Sequence, residues 1–382
     1  MGNTLTSLIP VIYRVLDVVS REITGMIQAV TWDAQAARAA LNQTITIPTS
    51  PTATAEDVTP STNPPDTGDQ SFGNETVTIS KSRAVPFRWT GEESRSLGGS
   101  GPGRLSLQEN QIAQGIRTLV NEIEVDLGTL YKRTARAVGT AGTTPFASNL
   151  DLLVDAQKGL TDMGCPAVDR HVVIDTAAGA KMRKLSALQK VNEAGENDLL
   201  RRGVLSQLFG FDIRESAGIA LHTAGTGAGT YQLNGAHAAG ATSIAVDTGA
   251  GTILAGDVLS IANGTPADGL KYVVNTALAA GTLTIGKPGL GSAHVDNDVV
   301  TLTAGYRANM AFHRSAILLV TRPPAIPEEG DMADDAMLVT DPQTGLTFEI
   351  RMYKQYRRVR YEIALAWGFA NIKPAHTMLI QG

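Results

Sequence analysis

The sequence predicts an α+β protein built of more than one folded module, and three observations carry that expectation. Apolar residues recur at helical spacing through Ile112, Ile116, Leu119, Ile123, Leu127 and Leu130. Two-residue alternation marks strands at 44–48 and within 75–89. From 223 to 305 the composition shifts to Gly, Ala, Thr and Val, with short β-type runs separated by Gly or Asp.

At 382 residues with 43% hydrophobic content, the chain is long enough to bury a sizeable core. Aromatics are only 5% while glycines number 39, which shifts the balance from large-ring packing toward turns and extended β structure. A net charge of −5 argues against a dedicated nucleic-acid binder, whose affinity rests on neutralising phosphates. Cys165 is the sole cysteine and makes no internal disulfide, so stability must come from packing or assembly. Arg14, Asp17, Arg21 and Glu22 interrupt the aliphatic N-terminal stretch, which therefore reads neither as a membrane span nor as a secretory signal.

Residues 1–43 are expected to form a helical arm, because Leu5, Ile9, Ile12, Leu16, Val19, Ile23 and Ile27 share one helical face. Residues 44–104 read as an extended β-hairpin loop and its return. Its loose tip is a Thr, Pro, Ser and Asp tract that cannot support a packed core, and Val77, Ile79, Val85, Phe87 and Trp89 carry the alternation of its second strand. Gly98, Gly99, Gly101 and Gly103 in the return lack the Lys-Ser/Thr of a phosphate loop. Residues 105–150 hold a spine helix, opened by a capping box at Ser106 and Glu109 and closed at Gly139, about 34 residues or about 50 Å long. Residues 151–222 read as mixed α+β, with helices at 151–163 and 176–191 and a buried strand at 171–174. The β-rich segment 223–305 reads as an inserted small β-barrel-like domain, after which 306–382 returns to the same body.

No catalytic constellation is present. The six histidines (His171, His222, His237, His294, His313 and His376) show no metal-ligand spacing, no G-x-S-x-G elbow surrounds Ser94, Ser96 or Ser100, and Cys165 has no identifiable base. No enzymatic activity, metal or cofactor is expected. The densest positive patch is Lys354, Arg357, Arg358 and Arg360, interleaved with Tyr353, Tyr356 and Tyr361. On a strand Arg358 and Arg360 would share one face and Val359 and Tyr361 the other, so the patch suits a subunit interface or solvated face, with genome contact as the alternative.

The run 203–216, centred on Gly210-Phe211-Asp212-Ile213, resembles the G-F-x-[IV] strand entry of the Hong Kong 97-like major capsid proteins of tailed phages. Asn309-Met310-Ala311-Phe312-His313-Arg314-Ser315-Ala316 resembles their N-x-A-F-H-x-x-A run, and Ala364-Leu365-Ala366-Trp367-Gly368 is similar to the C-terminal region of short-tailed-phage coats with an inserted β domain. The resemblance implies peripheral and axial domains, and a loop over residues 44–92 that overlaps a neighbouring subunit. It also implies self-assembly into the hexamers and pentamers of an icosahedral shell that encloses double-stranded DNA. The implied partners are a portal protein, a decoration protein, the packaged DNA by weak contacts and, since only about 43 residues precede the hairpin, a separate scaffolding protein. The implied location is the virion capsid, assembled in the host bacterial cytoplasm, with no membrane partner. Some members of that family form a Lys–Asn isopeptide bond, for which Lys81 and Asn371 are the candidates here. Similar coats with an inserted domain are generally not crosslinked. An encapsulin-like shell shares the fold and differs in its cargo, and a surface β-rich binding protein is the rival from another class.

Overall fold

The computed structural model describes residues 22–35, 37–51, 53–63, 67–96, 102–189, 207–227, 231–262 and 269–382. Most of the expected N-terminal helix, the glycines Gly98, Gly99 and Gly101 and the start of the 203–216 run lie outside the described residues.

The architecture is mixed α and β, organised around one helix and one long strand. The helix spans Pro102–Gly128 and buries Ile112, Ile116, Leu119, Val120, Ile123 and Leu127 along one side. These aliphatic side chains contribute roughly 2 kcal/mol each. The face packs on a sheet whose longest strand, Arg358–Asn371, pairs with Ile317–Arg322 and Thr347–Gln355 along one edge and with Lys81–Thr90 along the other. Gly115 sits at the closest approach, where a Cβ would lie 2.5 Å from the Ile363 Cδ1. That approach explains a glycine inside a helix, where it costs about 1 kcal/mol relative to alanine.

The helix differs from expectation at both ends. It begins at Pro102, so Ser106 lies inside it and opens no capping box; proline suits the first turn because its missing N–H has no helical partner there. It ends at Gly128 rather than Gly139 and tightens into a 3₁₀ turn over Thr129–Arg133. Val138 then lies in the strand Arg136–Gly139, opposite Ile380 of the C-terminal strand Thr377–Gln381. Sheet pairing overrides the helical spacing there, as a β-branched residue permits.

The second strand of the expected hairpin is two strands. Gly73–Thr78 pairs antiparallel with Thr44–Thr49, while Lys81–Thr90 leaves that ladder and joins the long strand of the main sheet. Ile79 closes the hairpin root by backbone bonds with Asn42 and Gln43 and is buried with Val77 against Leu318, Val320 and Ala366. Gly368 admits the crossing, since a Cβ there would meet the Thr78 carbonyl at 2.2 Å.

A second sheet carries the body. Arg136–Gly139 runs parallel to Thr377–Gln381; that strand pairs antiparallel with Tyr306–His313, which pairs antiparallel with Arg170–Ile174, itself parallel to Phe211–Glu215. Asp151–Asp162 and Thr176–Met182 flank this sheet and share a core with it. The Asn309 side chain is fully buried in the central strand, where its Oδ1 accepts from the Asp175 N–H at 2.7 Å. Phe209 and Gly210 both take positive φ in the tight turn that leads into Phe211–Glu215.

Six strands between residues 231 and 302 form a closed antiparallel ring. In order they are Val258–Ala262, Val299–Leu302, Tyr231–Leu233, Ser243–Asp247, Thr282–Ile285 and Lys271–Ala279, which pairs back to the first. Closure leaves no open sheet edge, and the ring has its own apolar core of Leu233, Ile244, Leu259, Tyr272, Val274, Leu283 and Val300. It joins the body sheet through Lys271 and Tyr272, opposite Ala137 and Arg136.

The N-terminal segment is fastened to the spine helix by carboxylates. Glu124, buried in the helix, accepts the backbone N–H groups of Gly25, Met26 and Ile27 at 2.6, 2.7 and 3.0 Å. Burial raises its carboxyl above the ordinary glutamate value, against the lowering effect of these bonds and one with Ser216. One and two turns earlier, Asn121 and Arg117 hold Glu22, and those bonds pull its carboxyl down to about 2.

Two measurements check this clamp. Glu124→Ala leaves three N–H groups without an acceptor and should cost about 3 kcal/mol of stability in chemical denaturation, with Glu124→Gln losing less because its amide oxygen still accepts. Because the Glu22 pKa is depressed, its contribution is fully present above 4.5 and is lost as pH falls toward 2. The protection factors of the amides at residues 25–30, measured against intrinsic exchange at each pH, should therefore fall between pH 5 and pH 2.5, and Glu22→Gln should show the lower protection already at pH 7.

Candidate functional site

The cationic patch forms at the end of the main sheet where Thr347–Gln355 turns into Arg358–Asn371 through Tyr356 and Arg357, with Arg357 at a φ of 53°. Cross-strand register decides which side chains share a face. Val359 and Tyr361 lie opposite Trp89 and Phe87 on the face toward the spine helix, and Phe87 stacks on Tyr361 with centroids 5.1 Å apart. Arg358 and Arg360 lie opposite Thr90 and Arg88 on the other face, as strand alternation implies.

The sequence-identified cations thus divide. Lys354 is opposite Val359, on the helix-facing side, and is paired with Asp334 at 2.6 Å. Arg360 is paired with Glu362 at 2.8 Å. Arg357 lies over the ring of the exposed Tyr356 at the turn. Arg358 has no ion pair among the described residues, and neither has Arg88, which sequence reading passed over. Arg88 lies far from the other cations in sequence, and only the pairing with Arg358–Asn371 brings it to the patch. Together Arg88, Gln355, Arg358 and Arg360 line a concavity of about 310 Å³. Arg88 and Arg360 are directly opposed, a like-charge cross-strand pair that opposes folding of the isolated chain.

Lys81 and Asn371 are not brought together within one chain. Lys81 lies opposite Trp367, and Asn371 is four residues further along that strand, about 13 Å away. The Lys81 ammonium binds Asp126 at 2.8 Å and Glu122 at 3.1 Å, and Asp126 also accepts from the Trp367 indole at 2.9 Å. Burial acts to lower the Lys81 pKa, yet the two carboxylate bonds outweigh it and raise the value. An ammonium so held is a poor nucleophile. The Asn371 amide donates to the Arg133 carbonyl and the Thr377 hydroxyl, both at 3.0 Å.

A buried polar cluster lies where the ring meets the body. His222 binds Asp257 through Nε2 at 2.7 Å and the Tyr131 hydroxyl through Nδ1 at 2.8 Å, and Asp257 also accepts the Gly225 and Leu254 N–H groups. Burial and the Asp257 charge push the Tyr131 hydroxyl up to about 12. With Asp257 ionised, Nε2 donates and Nδ1 accepts from tyrosine, so every group is occupied in a fastening role. Among the described residues no group of three or more His, Cys, Asp or Glu is placed to hold a metal ion, and no helix is long and apolar enough to cross a membrane.

No family model and no curated protein sequence matches the chain. Solved structures with similar chains include one from Mycobacterium phage Che8, with a TM-score of 0.49, 15% identity and coverage of 95% of this chain and 92% of that one. The capsid structure of cyanophage P-SCSP1u gives a TM-score of 0.49 and 11% identity over 95% and 89%. The virus-like particle from Pyrococcus furiosus gives 0.41 and 8% over 98% and 97%.

Since Arg88 and Arg358 make no ion pair among the described residues, Arg88→Ala and Arg358→Ala should change the chain's thermal stability by no more than about 0.5 kcal/mol. Arg88→Ala should err toward stabilisation, because it relieves the opposition to Arg360; differential scanning calorimetry of the unassembled chain reads both.

Proposed function

We propose that the chain is a major capsid protein of the Hong Kong 97-like type, which self-assembles into the icosahedral shell around the double-stranded DNA of a tailed phage. The observation that carries this reading is the hairpin of Thr44–Thr49 and Gly73–Thr78. Its strands pair in register and Val77, Ile45 and Ile47 pack its root on the main sheet, while every described side chain from 53 to 76 is exposed. The outer part of a two-stranded ribbon that covers no core is marginal in water, so the ordering of that part in the working state must come from neighbouring molecules. A closed symmetric shell supplies such neighbours at every position.

In this reading the spine helix and main sheet form the peripheral domain, the body sheet forms the axial domain, and the six-stranded ring is the inserted domain. The boundaries then follow as 1–43 arm, 44–104 hairpin loop and return, 105–150 spine segment, 151–222 body, 223–305 insertion and 306–382 return. A separate scaffolding protein, a portal and a decoration protein are the proposed partners, with DNA contacts weak because the chain is net acidic. The virion capsid, assembled in the host cytoplasm, is the proposed location. A structural role accounts for the occupied polar clusters without invoking catalysis.

Electron microscopy of the purified chain, expressed with and without a scaffolding protein encoded beside it, tests the reading. Closed icosahedral shells, or irregular shells made uniform by the scaffold, are the expected result. A monodisperse monomer in both preparations would overturn it.

A further inference from the structure

The charge of this chain is segregated in a way that specifies a contact. Between Arg38 and Lys81 the sequence contains no Lys or Arg, yet it carries Glu56, Asp57, Asp66, Asp69 and Glu75. The exposed hairpin is therefore uniformly acidic. The concavity of Arg88, Gln355, Arg358 and Arg360 holds two arginines, Arg88 and Arg358, that have no ion pair among the described residues, and the Nε of Arg360, whose other end is paired with Glu362, has no acceptor among them.

The two features sit at opposite ends of one strand pair. At the hairpin root Lys81 is opposite Trp367; at the cationic end Thr90 is opposite Arg358. Nine residues of extended chain separate them by about 30 Å. A donor at one end and an acceptor at the other give head-to-tail contacts, which close into rings when the rotation permits.

We propose that the Arg88–Arg358–Arg360 face is the receptor for the acidic hairpin of a second copy of this chain. The inference rests on the assembly reading and names the electrostatic contact that sets its direction. An incoming carboxylate relieves the Arg88–Arg360 opposition, and the occupied concavity in turn covers the outer part of the hairpin, whose described side chains are exposed.

Charge exchange tests it. One variant carries Arg88→Glu and Arg358→Glu, another Glu56→Lys, Asp57→Lys, Asp69→Lys and Glu75→Lys, and assembly is followed by light scattering and electron microscopy. Each alone should need at least tenfold more protein to assemble than the unaltered chain, whereas an equimolar mixture should recover, because reversed hairpins then meet reversed receptors. Recovery on mixing also shows that both variants are folded. A pair that assembles normally when separate, or fails when mixed while circular dichroism shows both folded, overturns the proposal. So does a receptor variant that assembles normally but retains less double-stranded DNA in its particles, which would assign the patch to the genome. Head-to-tail oligomers that obey the exchange without closing into shells would support the contact and overturn the shell reading. Normal shells from the hairpin variant would do the reverse.

Discussion

The fold hangs on the C-terminal half of the spine helix, where three carboxylates on adjacent turns bind groups from distant parts of the chain. Glu124 takes the N–H groups of residues 25–27, Asp126 takes Trp367 from the long strand and Lys81 from the hairpin root, and Glu122 takes Lys81 and Arg83. The apolar face of the helix supplies most of the burial free energy, but it is not directional and would tolerate rotation about the helix axis. The carboxylates do not. Glu124 is buried and Asp126 nearly so, and a slip of one turn would strand each without its donors.

How legible this was from sequence depends on the range of the interaction. The helix period from Ile112 to Leu127 could be read because local spacing alone sets it. The β character of the ring segment could be read for the same reason, from short β-type runs between turn residues. Tyr231–Leu233 escaped because it is three residues long. The departure of Lys81–Thr90 from the hairpin and the strand Arg136–Gly139 that follows the helix depend on partners more than 200 residues away, and no local pattern encodes those. Glu124 illustrates the limit. In sequence it is one acid among several on a helix, and only the return of Gly25 to its side makes it a clamp.

The cationic patch was half legible. Alternation alone separated Arg358 and Arg360 from Val359 and Tyr361, and the register agrees. What alternation could not supply was the neighbouring strand, and with it Arg88, the residue that turns two arginines into a cluster of three, of which Arg360 alone has an ion pair among the described residues. Lys354 was grouped with them by proximity in sequence, yet it stands on the opposite face with its own carboxylate. Proximity along a strand groups residues of both faces, whereas function at a sheet surface belongs to one.

The six-stranded ring raises a different question, that of how a module with its own core keeps a fixed orientation on the body. Apolar contact at the junction would hold the ring close but permit it to rock. The cluster of Tyr131, His222, Asp257 and Tyr306 draws on the turn after the spine helix, the chain entering the ring, the ring itself and the chain leaving it, and Tyr306 donates to the Gly256 carbonyl beside Asp257. Asp257 is fully buried, so any rocking that parts it from His222 or the Gly225 and Leu254 N–H groups leaves a desolvated charge at a cost of several kcal/mol. The junction is consequently stiff even though the linking segments are short and glycine-rich. Because Tyr131 follows directly on the spine helix, a load applied to the ring passes into the same helix that anchors the N-terminal segment, the long strand and the hairpin root. The carboxylates that fix the register of those elements therefore also fix the frame to which the ring is bolted.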